Sequence, residues 1–186
     1  MPAVTTEPQP LSEDQFQQIS TLVKEIGGIN LHDGKRELVK ARLAKRIRQA
    51  GVGSFGDYLD LIRSGGAGAE LTLMLDSLST NLTYFFREPA HIDFLRQTAL
   101  GELIERNRSR ASLRIWSAGC SSGEEPYTIG MTLLHHFPEL RCWDVRILAT
   151  DLSTRVLALA REGFYEADRL AKVPPAMLSN WFSPAA

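Results

Sequence analysis

The stretch Leu113-Arg114-Ile115-Trp116-Ser117-Ala118-Gly119-Cys120-Ser121-Ser122-Gly123-Glu124-Glu125-Pro126 decides how this chain is read. Leu113 to Ala118 has the length and apolar character of a short strand. Gly119 to Gly123 is a turn bounded by glycines. Glu124-Glu125-Pro126 then opens a helix that extends to about His136, since acids and proline both suit a first helical turn. Downstream, Val145 to Thr150 reads as a second strand ending at Asp151, and Ser153 caps a helix running to about Arg161. Strand, glycine turn, helix, strand, acid and helix in that order begin a doubly wound α/β sheet. Between Leu113 and Ala186 no third strand is visible. Two parallel strands alone leave an edge and much apolar surface bare. The expectation is therefore a fragment, a truncated product or half of a larger assembly.

The turn carries the chemistry. Glycines at the carboxyl end of a strand let a ligand approach the backbone closely. A phosphate loop would want a lysine and an open helix N-terminus. This turn has no lysine and is followed at once by two carboxylates, which would repel a pyrophosphate. They suit hydroxyls, amines or a positive charge. One of Glu124 and Glu125 is expected only to complement the helix dipole, and the other to touch the ligand. Asp151, at the tip of the second strand, is placed to accept from ribose hydroxyls; the competing reading is a helix cap.

Upstream the pattern is helical. Ser12 and Gln15 form a capping box before Phe16, Ile19, Leu22, Val23 and Ile26. A second helix runs from about Gly34 to Ala50, a third from Ser54, and a fourth carries Leu71, Leu75 and Leu78. Gly65 to Gly68 is a turn. A longer helix starts at Glu88-Pro89 and reaches about Arg108. The domain reading is a disordered tail at 1–10, an all-α domain at 11–80, a linker and connecting helix at 81–112, and the first part of the α/β domain at 113–186.

In the second helix Val39, Leu43 and Ile47 repeat every four residues and face a core. Lys35, Arg42, Lys45 and Arg46 project within an arc of roughly 100°. Seven bases (Lys35, Arg36, Lys40, Arg42, Lys45, Arg46, Arg48) against the single acid Glu37 are too lopsided for a salt-bridged surface and point to an acidic partner. The whole chain carries a formal charge of -1, which argues against nucleic acid.

The 186 residues include no apolar run near the roughly 20 needed to cross a bilayer, and no secretory signal. Cys120 and Cys142 are expected to be free thiols in a reducing cytoplasm. His32, His91, His135 and His136 lack ligand spacing, so no metal site is expected.

Four stretches, in order, resemble one family. They are Asn81-Leu82-Thr83-Tyr84-Phe85-Phe86-Arg87-Glu88, Ile115 to Tyr127, Ala149-Thr150-Asp151, and Ala160-Arg161-Glu162-Gly163-Phe164-Tyr165. The family is the chemotaxis receptor methyltransferases (CheR type). The resemblance implies a helical N-terminal domain followed by a Rossmann-like methyltransferase domain. It implies S-adenosyl-L-methionine as cofactor, S-adenosyl-L-homocysteine as product, and glutamate methyl esters formed on the cytoplasmic helices of chemoreceptors by an enzyme that is monomeric when complete. Carried over by position, Asn81, Thr83 and Arg87 would contact the cofactor, and Arg87 would steer the substrate carboxylate. Glu125 would bind near the amino-acid end and Asp151 the ribose, above a floor made by Gly119 and Gly123. Lys35, Arg42, Lys45 and Arg46 would dock the acidic receptor helix. Read from the residues alone, Asn81 and Thr83 could equally cap the next helix, and Arg87 could pair at the surface with Glu88. The other class of function is a non-catalytic module that binds a receptor or partner through the basic helix.

Overall fold

The protein was analysed as a computed structural model that describes residues 10–64 and 68–184. The tail read at 1–10, except its last residue, and most of the Gly65–Gly68 turn lie outside the described residues. The chain divides into two compact units, Met1–Thr80 and Asn81–Ala186.

The first unit is helical: α1 (Glu13–Gly27), α2 (Arg36–Ala50) preceded by a 3-10 turn, α3 (Phe55–Arg63) and α4 (Gly68–Leu78). The capping box is complete. The Gln15 N–H donates to Ser12 Oγ at 3.2 Å, and the Ser12 N–H donates to Gln15 Oε1 at 3.0 Å. The apolar stripes close one core of Phe16, Ile19 and Val23 with Val39, Leu43 and Ile47, then Phe55, Tyr58, Leu59 and Ile62 with Met74, Leu75 and Leu78.

The second unit begins with the coil 81–88 and a long helix. That helix is not uniform. It consists of α5 (Pro89–Phe94), a π turn at Leu95–Ala99 and α6 (Leu100–Asn107). In a regular helix residues five apart point about 140° from each other. The wider π turn swings Leu95 round, so that it packs on the same cluster as the fully buried Leu100.

Two parallel strands follow, β1 (Ser112–Ala118) and β2 (Asp144–Thr150), in register from Ser112 opposite Asp144 to Ala118 opposite Thr150. They are joined through α7 (Glu124–His136) and a 3-10 turn, and followed by α8 (Thr154–Glu162), a 3-10 turn at Ala167–Leu170 and α9 (Pro175–Trp181). Strand alternation gives the sheet two unlike faces. Leu113, Ile115, Val145 and Ile147 pack with Leu133 and Leu140. Trp116 and Leu148, paired on the opposite face, are 67% and 60% exposed. Parallel sheets usually have both faces covered. α7 also reaches a third cluster, in which Met131 meets Phe85, Val173 and Met177. Among the described residues no helix is long and apolar enough to cross a membrane.

Candidate functional site

The candidate site lies at the carboxyl ends of β1 and β2. The Gly119 and Cys120 N–H groups both donate to the Thr150 carbonyl, at 2.8 and 2.9 Å, so the turn leaving β1 is fastened to the tip of β2. Gly119, Ser121 and Gly123 all have positive φ, of 85°, 50° and 98°. Only glycine adopts that region without strain. The strained residue, Ser121, is held from two sides. Its N–H donates to Asp151 Oδ2 at 2.8 Å, and its hydroxyl donates to the Asn81 carbonyl at 3.1 Å. At Gly123 a side chain has no room, since a Cβ there would lie 2.7 Å from the Tyr165 hydroxyl.

Asp151 accepts from the backbone at both oxygens, from the Ser121 N–H and from the Ser153 N–H at 2.9 Å. A carboxylate offers about four acceptor directions in all, the kind of group a diol donates to. The cap of α8 belongs to Ser153, whose Oγ accepts from the Val156 N–H.

The two glutamates sit in different settings. Glu124 is 0% exposed; its Oε2 accepts from Ser122 Oγ at 2.7 Å and its other oxygen pairs with Arg169. Glu125 is exposed and accepts from Ser117 Oγ at 2.7 Å. Glu125 and Asp151 flank the same turn. Burial pushes the Cys120 thiol pKa up, and the negative charges of Asp151 and Glu125 push it further.

The segment carrying Asn81, Thr83 and Arg87 is an irregular coil belonging to this unit. Phe86 and Glu88 sit at φ 56° and 52°, costly for residues with a Cβ. Among its contacts are two that anchor its later half. The Phe86 N–H donates to Thr128 Oγ1 on α7 at 3.1 Å, and Phe85 is fully buried, edge-on to Tyr165 and Phe182. Arg87 is half exposed, donates to the Leu82 carbonyl at 3.1 Å and lies 3.8 Å from Glu88.

A cleft of about 780 Å³ lies between α7, β2, α8 and α9, lined by residues such as Gly130, Ile147, Leu157 and Trp181. Neither Glu125 nor Asp151 lines it. The carboxylates and the bent turn lie at the strand tips, outside the lining of that cleft. Their chemistry fits S-adenosylmethionine: acceptors for a ribose and an ammonium, no lysine in the turn, and a carboxylate left in solvent beside it.

On the basic helix the charges divide. The Arg42 guanidinium donates to the carbonyls of Leu78 and Ser79, at 2.9 and 3.0 Å, and so caps α4. Arg46 forks onto Glu70, to which Tyr58 also donates at 2.8 Å; the Arg46–Glu70 contact is 2.6 Å, with both side chains 15% exposed. Those bonds to Glu70 push the Arg46 pKa up. Lys40, Lys45 and Arg48 are exposed, while Lys35 is half-buried.

The sequence reading missed Arg169 and Thr128 and saw Tyr165 only as part of a motif. Arg169 lies in an irregular segment far along the chain from Glu124, so no spacing connects them.

Comparison with known proteins fits this geometry. Residues 14–79 match the family described as CheR methyltransferase, all-alpha domain, and residues 81–186 match CheR methyltransferase, SAM binding domain. The chain is 45% identical to a probable chemotaxis protein methyltransferase of Rhizobium etli, over 84% of this chain and 58% of that protein. It is 41% identical to the chemotaxis protein methyltransferase of Borreliella burgdorferi, over 88% of this chain and 59% of that protein. The Escherichia coli chemotaxis protein methyltransferase is 40% identical, over 95% of this chain and 59% of its own length. The chain thus spans less than two thirds of each of these relatives. With both of its units matched, the chain belongs to the CheR methyltransferase family.

Proposed function

We propose that this chain supplies the cofactor-binding part of a protein-glutamate O-methyltransferase, acting in the cytoplasm on the helical region of chemoreceptors. The observation that carries the reading is the convergence of three distant segments: Asp151 and the Asn81 carbonyl both grip Ser121 in the glycine turn. S-adenosylmethionine, when bound, supplies an electrophilic methyl group. Asp151 would accept from its ribose, Glu125 would meet its cationic amino-acid end, and Gly119 and Gly123 would leave room for close approach. Asn81 and Thr83 would add polar contacts from the coil.

The nucleophile is a substrate carboxylate, ionised at neutral pH because its reference pKa is about 4.3. No general base is needed. Alignment is then the main contribution, worth up to roughly 7–11 kcal/mol in favourable geometries. Arg87, half exposed at the edge of the coil, is the group proposed to steer the carboxylate. For docking an acidic receptor helix, Lys45 offers an open charge, Lys35 is half-buried, and Arg42 and Arg46 act mainly by holding the helix that presents them.

Calorimetry with S-adenosylhomocysteine tests this. Saturable binding that falls about tenfold or more in Asp151→Ala, in line with the loss of a charged hydrogen-bond acceptor, supports it. Absence of binding heat, with retained affinity for a receptor cytoplasmic fragment, would leave only a docking module.

A further inference from the structure

The coil 81–88 holds two residues in the left-handed region and has no strand or helix ladder to fix it. Something must over-determine its shape. Besides Thr128, Phe85 and the Ser121 hydroxyl, two side chains reach toward it from far along the chain, Arg169 and Lys172. Arg169, on the 3-10 turn Ala167–Leu170, forms an ion pair with Glu124 at the start of α7. The same guanidinium nitrogen lies 3.3 Å from Ser122 Oγ in the glycine turn and 3.5 Å from the Thr83 carbonyl in the coil. Three residues further on, Lys172 stacks over the Tyr84 ring at 3.8 Å. On the near side, the Tyr165 hydroxyl donates to the Ser122 carbonyl at 2.6 Å.

Glu124 is fully buried, and a buried carboxylate is costly unless paired. Yet a buried ion pair is poor evidence of stability, because well-packed apolar residues often do as well or better. What an arginine adds is a rigid, planar and weakly hydrated cation that gives up less freedom per bond than an ammonium. Here one of its nitrogens faces three acceptors, which lie on the elements that form the candidate cofactor site.

We propose that Arg169, anchored by Glu124, is a positioning residue that holds the coil 81–88 against the glycine turn in the shape that binds cofactor. This rests on the cofactor reading above. Arg169 acts through the Thr83 carbonyl and Ser122 and is not proposed to touch the reacting groups.

Two variants of the chain test it, each followed by thermal unfolding, by S-adenosylhomocysteine calorimetry and by amide exchange over 81–88. Glu124→Gln combined with Arg169→Met removes the buried charge together with its partner, so the fold is expected to survive. Affinity should fall about tenfold or more, the scale on which supporting residues act on a bound group. Amides of 81–88 should exchange about tenfold faster, while those of β1 keep their protection. Arg169→Lys retains the charge but moves it to a compact, strongly hydrated ammonium on a flexible stem, without the rigid plane that sets the Nη2 position. It should unfold at nearly the wild-type temperature and still bind weakly, a split that a purely stabilising role does not give. Unchanged exchange at 81–88 in both variants overturns the proposal. So does recovery of affinity and stability together in Arg169→Lys. If the double variant fails to fold, Arg169→Lys decides alone. If the wild-type chain gives no binding heat, the cofactor reading fails separately, and exchange at 81–88 still decides the positioning.

Discussion

Arg46–Glu70 in the helical unit and Arg169–Glu124 in the α/β unit are both arginine–glutamate pairs with a shielded carboxylate, and they differ in what surrounds it. Glu70 is surrounded by elements of one bundle. Arg46 of α2 forks onto it and Tyr58 of α3 donates to it, so three helices meet at one acceptor. Glu124 has Ser122 beside it and an arginine whose side chain is 40% exposed and whose other contacts are loop atoms. The first pair fastens helices that their apolar stripes already bring together. The second ties irregular segments that have no stripe. Similar chemistry thus serves packing in one region and the shape of a site in the other.

The largest expected effect tests the packing side. Glu70→Ala leaves Arg46 and the buried Tyr58 hydroxyl without their acceptor and should cost about 3–5 kcal/mol, as for other buried pairs broken on one side. Urea unfolding measures it. A loss below about 1 kcal/mol, the range of exposed pairs, would put Arg46–Glu70 among surface bridges and remove the contrast. Next in size is Gly123→Ala. The new methyl meets the Tyr165 hydroxyl at 2.7 Å on a backbone at φ 98°. The strain should cost about 1–3 kcal/mol, and S-adenosylhomocysteine affinity should fall with it. Adding Tyr165→Phe should restore only part of the stability, because Ala160 Cβ remains 3.0 Å from the new methyl. Full restoration would mean that the turn is shaped by Tyr165 alone.

How much of this was legible in the sequence follows the same division. Every helix of the first unit was readable, because Ser12, Ser54 and the apolar stripes act within a few residues. Both strands and the helix between them were readable for the same reason. The settings of Glu124 and Glu125 are only partly legible: the resemblance points to Glu125 for the ligand, but the pairing of Glu124 with Arg169 is set by tertiary packing. Arg42 and Arg46 show the limit from the other side. Their spacing gave a correct helical face, but the Leu78 and Ser79 carbonyls and Glu70 come from α4, and no periodicity predicts such a meeting. The π turn at Leu95–Ala99 escaped as well, since it shows only as a five-residue spacing between Leu95 and Leu100.

A buried and an open leucine sharpen the contrast at the sheet. Leu43 is fully buried in the helical core, whereas Leu148 lies on the open face of β2. Leu43→Ala should cost about 2–5 kcal/mol and Leu148→Ala no more than about 0.5 kcal/mol. A cost at Leu148 near that of Leu43 would show that the face is covered in solution, by a second copy if the cost grows with concentration. The two thiols give the finest test, because they read the turn without a change in its shape. Cys142 is exposed, while Cys120 is buried in the turn, its pKa raised by burial and by Asp151 and Glu125. A raised pKa keeps the thiol protonated as pH climbs, so at mildly alkaline pH Cys120 has less thiolate than an ordinary cysteine as well as less access. A thiol reagent should therefore consume Cys142 first and reach Cys120 only as denaturant opens the unit. In Arg169→Lys, Cys120 should react sooner than in wild type, if the arginine is what keeps the turn closed. Equal protection of Cys120 in both would place that closure with Asp151 and Tyr165 and confine the effect of Arg169 to the coil.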